Sequence, residues 1–138
     1  MSEPLCDTSV LIRLIAGDDP DKQDHAIELF ERVEAETLSL AAPDTVIADA
    51  VFVLTSKRLY NKTREEVAAK LTTLVRLPNF RVQNRHTVLH ALRLFATASH
   101  LDFGDAMLAA MAQQSNASTI YSYDTDFDRI SGVTRLEP

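Results

Sequence analysis

Apolar positions along the chain come in short runs separated by helical stretches. "PLCD" (Pro4–Asp7) reads as a short buried strand ending at Asp7, and "SVLIRLIA" (Ser9–Ala16) as a helix stopped by the break "GDDPD". A second helix opens at Asp21, with Ala26, Ile27, Leu29, Phe30 and Val33 on its apolar face. "LSLAAP" is a second strand, and after Pro43 "DTVIADAVFVLTSK" is a strongly apolar helix. "TREE" at Thr63–Glu66 has the capping-box pattern, in which Thr and Glu satisfy N–H groups that a first turn leaves unpaired; this predicts a helix to about Leu77, ended by Pro78. "FRVQN" is a third strand, and "HTVLHALRLFATA" is an amphipathic helix through Val88, Leu89, Leu92, Phe95 and Ala96. Gly104 precedes the helix "DAMLAAMAQQ", and "STIYSYD" is a fourth strand ending at Asp124. This alternation predicts an α/β domain, a parallel sheet covered by helices. Such sheets bind ligands outside the carboxyl ends of their strands, where Asp7 and Asp124 both stand.

The 138 residues make one domain, 1–138, without repeats or linkers, large enough for a single core. A hydrophobic share of 46% with 25% charged residues is that of a soluble globular protein. The lone cysteine, Cys6, gives neither a disulfide framework nor a thiolate metal site and fits a reducing cytoplasm. No apolar run reaches membrane-spanning length, and "MSEP" is not a signal peptide, so a cytoplasmic location and no membrane partner are expected. The net charge of −6 sets a puzzle: a protein holding nucleic acid by surface charge should be basic, so something must offset its own field.

The acidic residues supply the candidate chemistry. Taken singly, most have ordinary roles. Asp7 can cap the helix after it, Asp102 can cap the next with Asp105 three residues on, and Asp124, Asp126 and Asp128 suit turns. Asp49 has no such role: it interrupts "VIADAVFVL", a helix apolar nearly all round and therefore expected to be buried. A buried carboxylate must meet a cation or take a proton, and the candidates are an arginine from elsewhere in the fold or a metal ion. Taken together, Asp7, Asp49, Asp105 and Asp124 can face one pocket. At about 4 Å and an effective dielectric near 20, each like-charged pair costs roughly 4 kcal/mol, which a divalent cation removes. All-carboxylate ligation suits Mg²⁺ or Mn²⁺ and not Zn²⁺.

Other acidic sites fail on spacing. "DTDFDRISG" begins like a calcium loop but has Arg129 where Gly is required and Arg135 where the bidentate Glu belongs. A receiver domain needs a late lysine, and the last here is Lys70; a haloacid-dehalogenase-type phosphatase needs an Asp at position 9, which is Ser9. The histidines His25, His86, His90 and His100 show no HExxH-like spacing, and His86 and His90 suit a solvated helix face.

With these residues in view, the sequence resembles a PIN domain, specifically a VapC-type toxin of a toxin–antitoxin pair, over nearly the whole chain. "LCDTSVLIRLI" is similar to the family's first motif, with Asp7 as its acid. "VIADAVFVL" aligns with the second, where the acid is usually Glu and here is Asp49. "LDFGDAMLAA" resembles the third, with Asp105 as the acid and Asp102 as a cap or supporting residue. "IYSYDTDFDRISGVTRLEP" is similar to the family's ending, with Asp124 as the fourth acid. The resemblance implies a three-layer domain whose central, mostly parallel sheet of four to five strands is flanked by helices. It implies a Mg²⁺-dependent endoribonuclease, with Mn²⁺ as substitute, in which Asp7, Asp49, Asp105 and Asp124 bind metal and activate water for attack on an RNA phosphodiester. Bound metal would also turn an acidic pocket into a phosphate-binding one. The implied partners are RNA, a VapB-like antitoxin whose C-terminal segment covers the active-site groove, and a second copy of the chain in a homodimer. Lys57, Arg58, Lys62 and Arg64 surround Tyr60 and offer either an RNA-backbone contact or a solvated connection between helices. Two alternatives stand beside this reading: a PIN-like nucleic-acid- or partner-binding module with weakened catalysis, and a hydrolase acting on DNA or a small phosphoester.

Overall fold

The computed structural model describes residues 3–138. Asp7 caps α1 (Thr8–Ala16), and Gly17 ends it in a left-handed turn at φ 73°. Asp19 caps α2 (Pro20–Glu34), with Pro20 in the first turn, where its missing N–H costs nothing; the expected start at Asp21 lies within that turn. Of its predicted apolar face, Ala26, Phe30 and Val33 are buried while Ile27 is exposed. Strand β1 (Leu40–Ala42) leads through Pro43 into α3 (Asp44–Thr55). Thr63 accepts the N–H of Glu66 and opens α4 (Arg64–Val75), the Thr half of the capping box, while the Glu66 carboxylate pairs with Lys62 and Lys70. The chain continues through β2 (Phe80–Val82), α5 (Arg85–Thr97), α6 (Phe103–Gln114), β3 (Thr119–Tyr121), a 3-10 turn over Thr125–Arg129 and β4 (Thr134–Leu136).

The strands are short and parallel. β1 pairs with β2, Leu40 opposite Phe80 and Ala42 opposite Val82. The other edge of β1 takes the segment Pro4–Cys6 in a single bridge, where Cys6 N–H reaches the Ala41 carbonyl at 2.8 Å and Ala41 N–H reaches that of Pro4 at 2.9 Å. The expected first strand is thus only half realised: Cys6 is buried, but Leu5 is 77% exposed. β3 pairs with β4, Thr119 opposite Thr134. β4 went unpredicted because Thr134 and Leu136 are exposed and Arg135 is charged, so no apolar alternation marks it.

The core has two parts. The larger joins α1 to α5, β1 and β2 with Phe103, Ala106 and Ala110 of α6; within it Phe30 meets Phe80 edge-to-face at 5.3 Å. The smaller packs Leu101, Ala109 and Ala112 against Ile120, Phe127 and Ile130. Helix α6 therefore faces both. No described helix is long and apolar enough to cross a membrane.

Candidate active site

Asp7 sits where the Pro4–Cys6 segment turns into α1. Its Oδ2 accepts the Ser9 N–H at 3.1 Å and the Ser9 hydroxyl at 2.7 Å. These bonds favour the ionised form and hold the carboxyl below its ordinary range. The adjacent Thr8 hydroxyl donates to the Val46 carbonyl at 3.4 Å, tying the start of α1 to α3 just before Asp49.

Asp49 is where expectation and structure part. α3 buries Ile47, Ala50, Val51 and Leu54, whereas Asp49 is exposed. It needs neither a buried arginine nor a metal to be stable there. The exposed positions Thr45, Asp49 and Phe52 fall at helical spacing and form one outward stripe. Phe52, 73% exposed, extended the apolar pattern across that stripe and disguised it.

Asp102 and Asp105 divide the work at the start of α6. Asp102 is the cap, its Oδ1 accepting the Asp105 N–H at 2.7 Å. The Asp105 carboxyl is pushed above its ordinary range, first by partial burial and then by the negative charges of Asp102 and Asp124. Asp124 stands just past β3 and caps the 3-10 turn, its Oδ1 accepting the Asp126 N–H at 2.9 Å. Asp128 is committed elsewhere. Arg135 grips both its oxygens, at 3.0 and 3.2 Å, and also reaches Glu137 at 2.8 Å and the Ser122 carbonyl at 2.9 Å.

Asp105 thus feels the charges of Asp102 and Asp124, while Asp7 and Asp49 stand on elements that pack together, the start of α1 and α3. Among the described residues, however, no three His, Cys, Asp or Glu side chains lie close enough to hold a metal ion as they stand. The donor chemistry would suit a hard divalent cation: the candidate side chains offer only carboxylate oxygens, and Asp105 stands beside the negative charges of Asp102 and Asp124.

The basic segment resolves differently from its sequence. Lys62 and Lys70 both pair with Glu66, at 3.6 and 3.1 Å, and the Tyr60 hydroxyl donates to Asp18 at 2.8 Å. Lys57 and Arg58 are exposed and form no ion pair among the described residues. Arg64 turns inward. Its Nε donates to the Phe95 carbonyl at 2.9 Å, its Nη2 to that of Ala98 at 3.1 Å and to that of Leu101, and its guanidinium lies over the Phe95 ring, 3.6 Å from the centroid. Arg64 therefore clamps the turn that delivers Asp102 and Asp105. Neither an RNA-backbone contact nor a solvated connection between helices, the two readings of this segment, includes that role. The available signal was its place in the first turn of α4, where the helix dipole disfavours a cation and some tertiary reason is needed. His86 is exposed as expected, while His90 is half-buried and its Nε2 meets Gln113 Oε1 at 2.5 Å.

Between α3 and the start of α6 lies a cleft of about 280 Å³, lined by Phe52, Thr55, Arg64, Phe95, Asp102 and Gly104 among others. Comparison with curated proteins finds no match. The family model for the PIN domain matches residues 5–133, nearly the full length, and the chain belongs to the PIN-domain family.

Proposed function

We propose that the chain, acting as a single PIN domain, is a divalent-metal-dependent endoribonuclease, the toxin of a VapC-type toxin–antitoxin pair in the cytoplasm. The observation that carries this reading is Asp105, a carboxyl raised by burial and by the charges of Asp102 and Asp124 at the start of α6. Such crowding is unfavourable in the metal-free chain and favourable around a cation. Asp105, Asp124, Asp7 and Asp49 would hold Mg²⁺, with Mn²⁺ as substitute. Bound metal supplies a Lewis-acid contact to phosphate and an acidified water. The chain's own contribution is placement: helix caps fix Asp7 and Asp102, the β3 end presents Asp124, and an acid left unliganded can accept the proton of water attacking phosphorus. A VapB-like antitoxin covering the groove and a homodimer complete the proposed assembly.

The purified chain is expected to cut single-stranded RNA with Mg²⁺ or Mn²⁺, to stop in excess EDTA, and to leave 5′-phosphate and 3′-hydroxyl ends. A 2′,3′-cyclic phosphate product would mean that the RNA's own 2′-OH is the nucleophile and would refute the water mechanism.

Asp49 has its own test. Because it is exposed, Asp49→Asn should leave stability within about 0.5 kcal/mol of wild type in thermal melts. RNA cleavage by the same variant should fall about tenfold or more if the residue helps to hold metal. Full cleavage would remove Asp49 from the site.

A further inference from the structure

The cleft between α3 and α6 has walls that suit a planar aromatic ring with polar edges. Phe52 and Phe95 line it together with Ala48, Val51 and Phe103, and Arg64, Thr55 and Asp102 add polar atoms. Phe52 is the unexplained member. It puts 73% of its surface in water, one turn from Asp49, on a stripe otherwise polar. The polar groups retain capacity. Arg64 spends Nε and Nη2 on backbone carbonyls and leaves Nη1 without a partner among the described residues. Asp102 uses Oδ1 for the Asp105 N–H. The Thr55 hydroxyl donates to the Val51 carbonyl at 2.7 Å and can still accept. Gly104 keeps the α6 wall low: a Cβ there would meet only Asp102 Oδ1, at 3.4 Å. Lys57 and Arg58, exposed and without an ion pair among the described residues, come two and three residues after Thr55, the last residue of α3.

We propose that this cleft is a nucleobase subsite. An unpaired base of single-stranded RNA stacks on Phe52, its edge meets Arg64, Asp102 and Thr55, and Lys57 and Arg58 take the flanking phosphate. The proposal rests on the nuclease reading above for its ligand. Stacking on an aromatic side chain tolerates any base, whereas a donor and acceptors at the edge discriminate among them. Phe52 is then a substrate-binding residue, and base preference at the position beside the scissile bond is set by Arg64 and Asp102.

The chain contains no tryptophan, so Phe52→Trp installs a single indole reporter at the rim of the cleft. In EDTA, where cleavage is not expected, its fluorescence should be quenched saturably by short single-stranded RNA homo-oligomers and much less by duplex RNA, with unequal affinities for the four bases. In Mg²⁺, Phe52→Leu should raise KM about tenfold, the scale of one lost stacked base, while Phe52→Tyr stays near wild type. Because the side chain is largely outside the core, folding is not at stake in these variants. Quenching by none of the four oligomers, or an unchanged KM for Phe52→Leu, overturns the subsite. A fluorescence change that follows protein concentration and ignores RNA also overturns it and assigns Phe52 to contact with a second copy. Quenching by RNA from a wild-type-like chain that cuts nothing in Mg²⁺ upholds the subsite and refutes the nuclease.

Discussion

Asp105→Asn is expected to reduce metal-dependent RNA cleavage by at least about 100-fold, the scale on which loss of a group that positions or deprotonates water is felt. The same substitution should make the metal-free protein more stable. The two effects share one cause. Partial burial and the charges of Asp102 and Asp124 raise the Asp105 carboxyl above its ordinary value of 3.8. A carboxyl with a folded pKa above its unfolded one favours the fold when protonated and loses that contribution as pH rises through the folded pKa. At neutral pH the charged side chain therefore strains the native state, and Asn relieves it while keeping the shape. The gain in melting temperature should grow with pH and vanish below about pH 3.8, where Asp105 is neutral in both states. Added Mg²⁺ should raise the melting temperature of wild type more than that of the variant, since only binding to the native state stabilises it. Thermal melts at several pH values, with and without Mg²⁺, read all of this. A metal-free variant less stable than wild type at pH 7 would show that Asp105 has a favourable partner and is not a crowded ligand.

Arg64→Met is expected to cost roughly 2–4 kcal/mol of stability. It strands carbonyls of Phe95, Ala98 and Leu101 that now accept from a charged donor, and it removes a cation from the Phe95 ring. Arg64→Lys should recover part of the loss, because an ammonium can donate to several carbonyls but has no plane to lie on the ring. Chemical denaturation of the three proteins measures this. A Met variant within 0.5 kcal/mol of wild type would mean that the turn before α6 holds itself. Cleavage should fall further than stability alone explains, because the turn sets where Asp102 and Asp105 stand.

The parts of the site that depend on neighbouring residues were legible in the sequence. Asp7, Asp102 and Asp124 cap the helical segments that follow them, and a cap is a relation between residues two or three apart. The helices were legible for the same reason, from spacing and end signals. Burial was not. α3 has apolar residues all round, but its neighbours cover only part of it, and Phe52 hid the outward stripe that Thr45 and Asp49 mark. Arg64 could not be placed, because its partners lie 31 to 37 residues away. Neither could the separations among Asp7, Asp49, Asp105 and Asp124, which depend on how α1, α3 and α6 pack together. Strand β4 has no such signal, because its side chains are mostly outside the core.

The acids are carried by two different bodies of packing. Asp7 and Asp49 belong to elements rooted in the larger cluster, whereas Asp124 leads into the turn around Phe127 and Ile130 of the smaller one, and α6 is the wall they share. Separately packed regions open with separate free energies, the smaller one more cheaply. If Asp105 and Asp124 hold a cation as proposed, that cofactor would also fasten the two packed regions to each other, and removing it would loosen the C-terminal third of the chain from the rest.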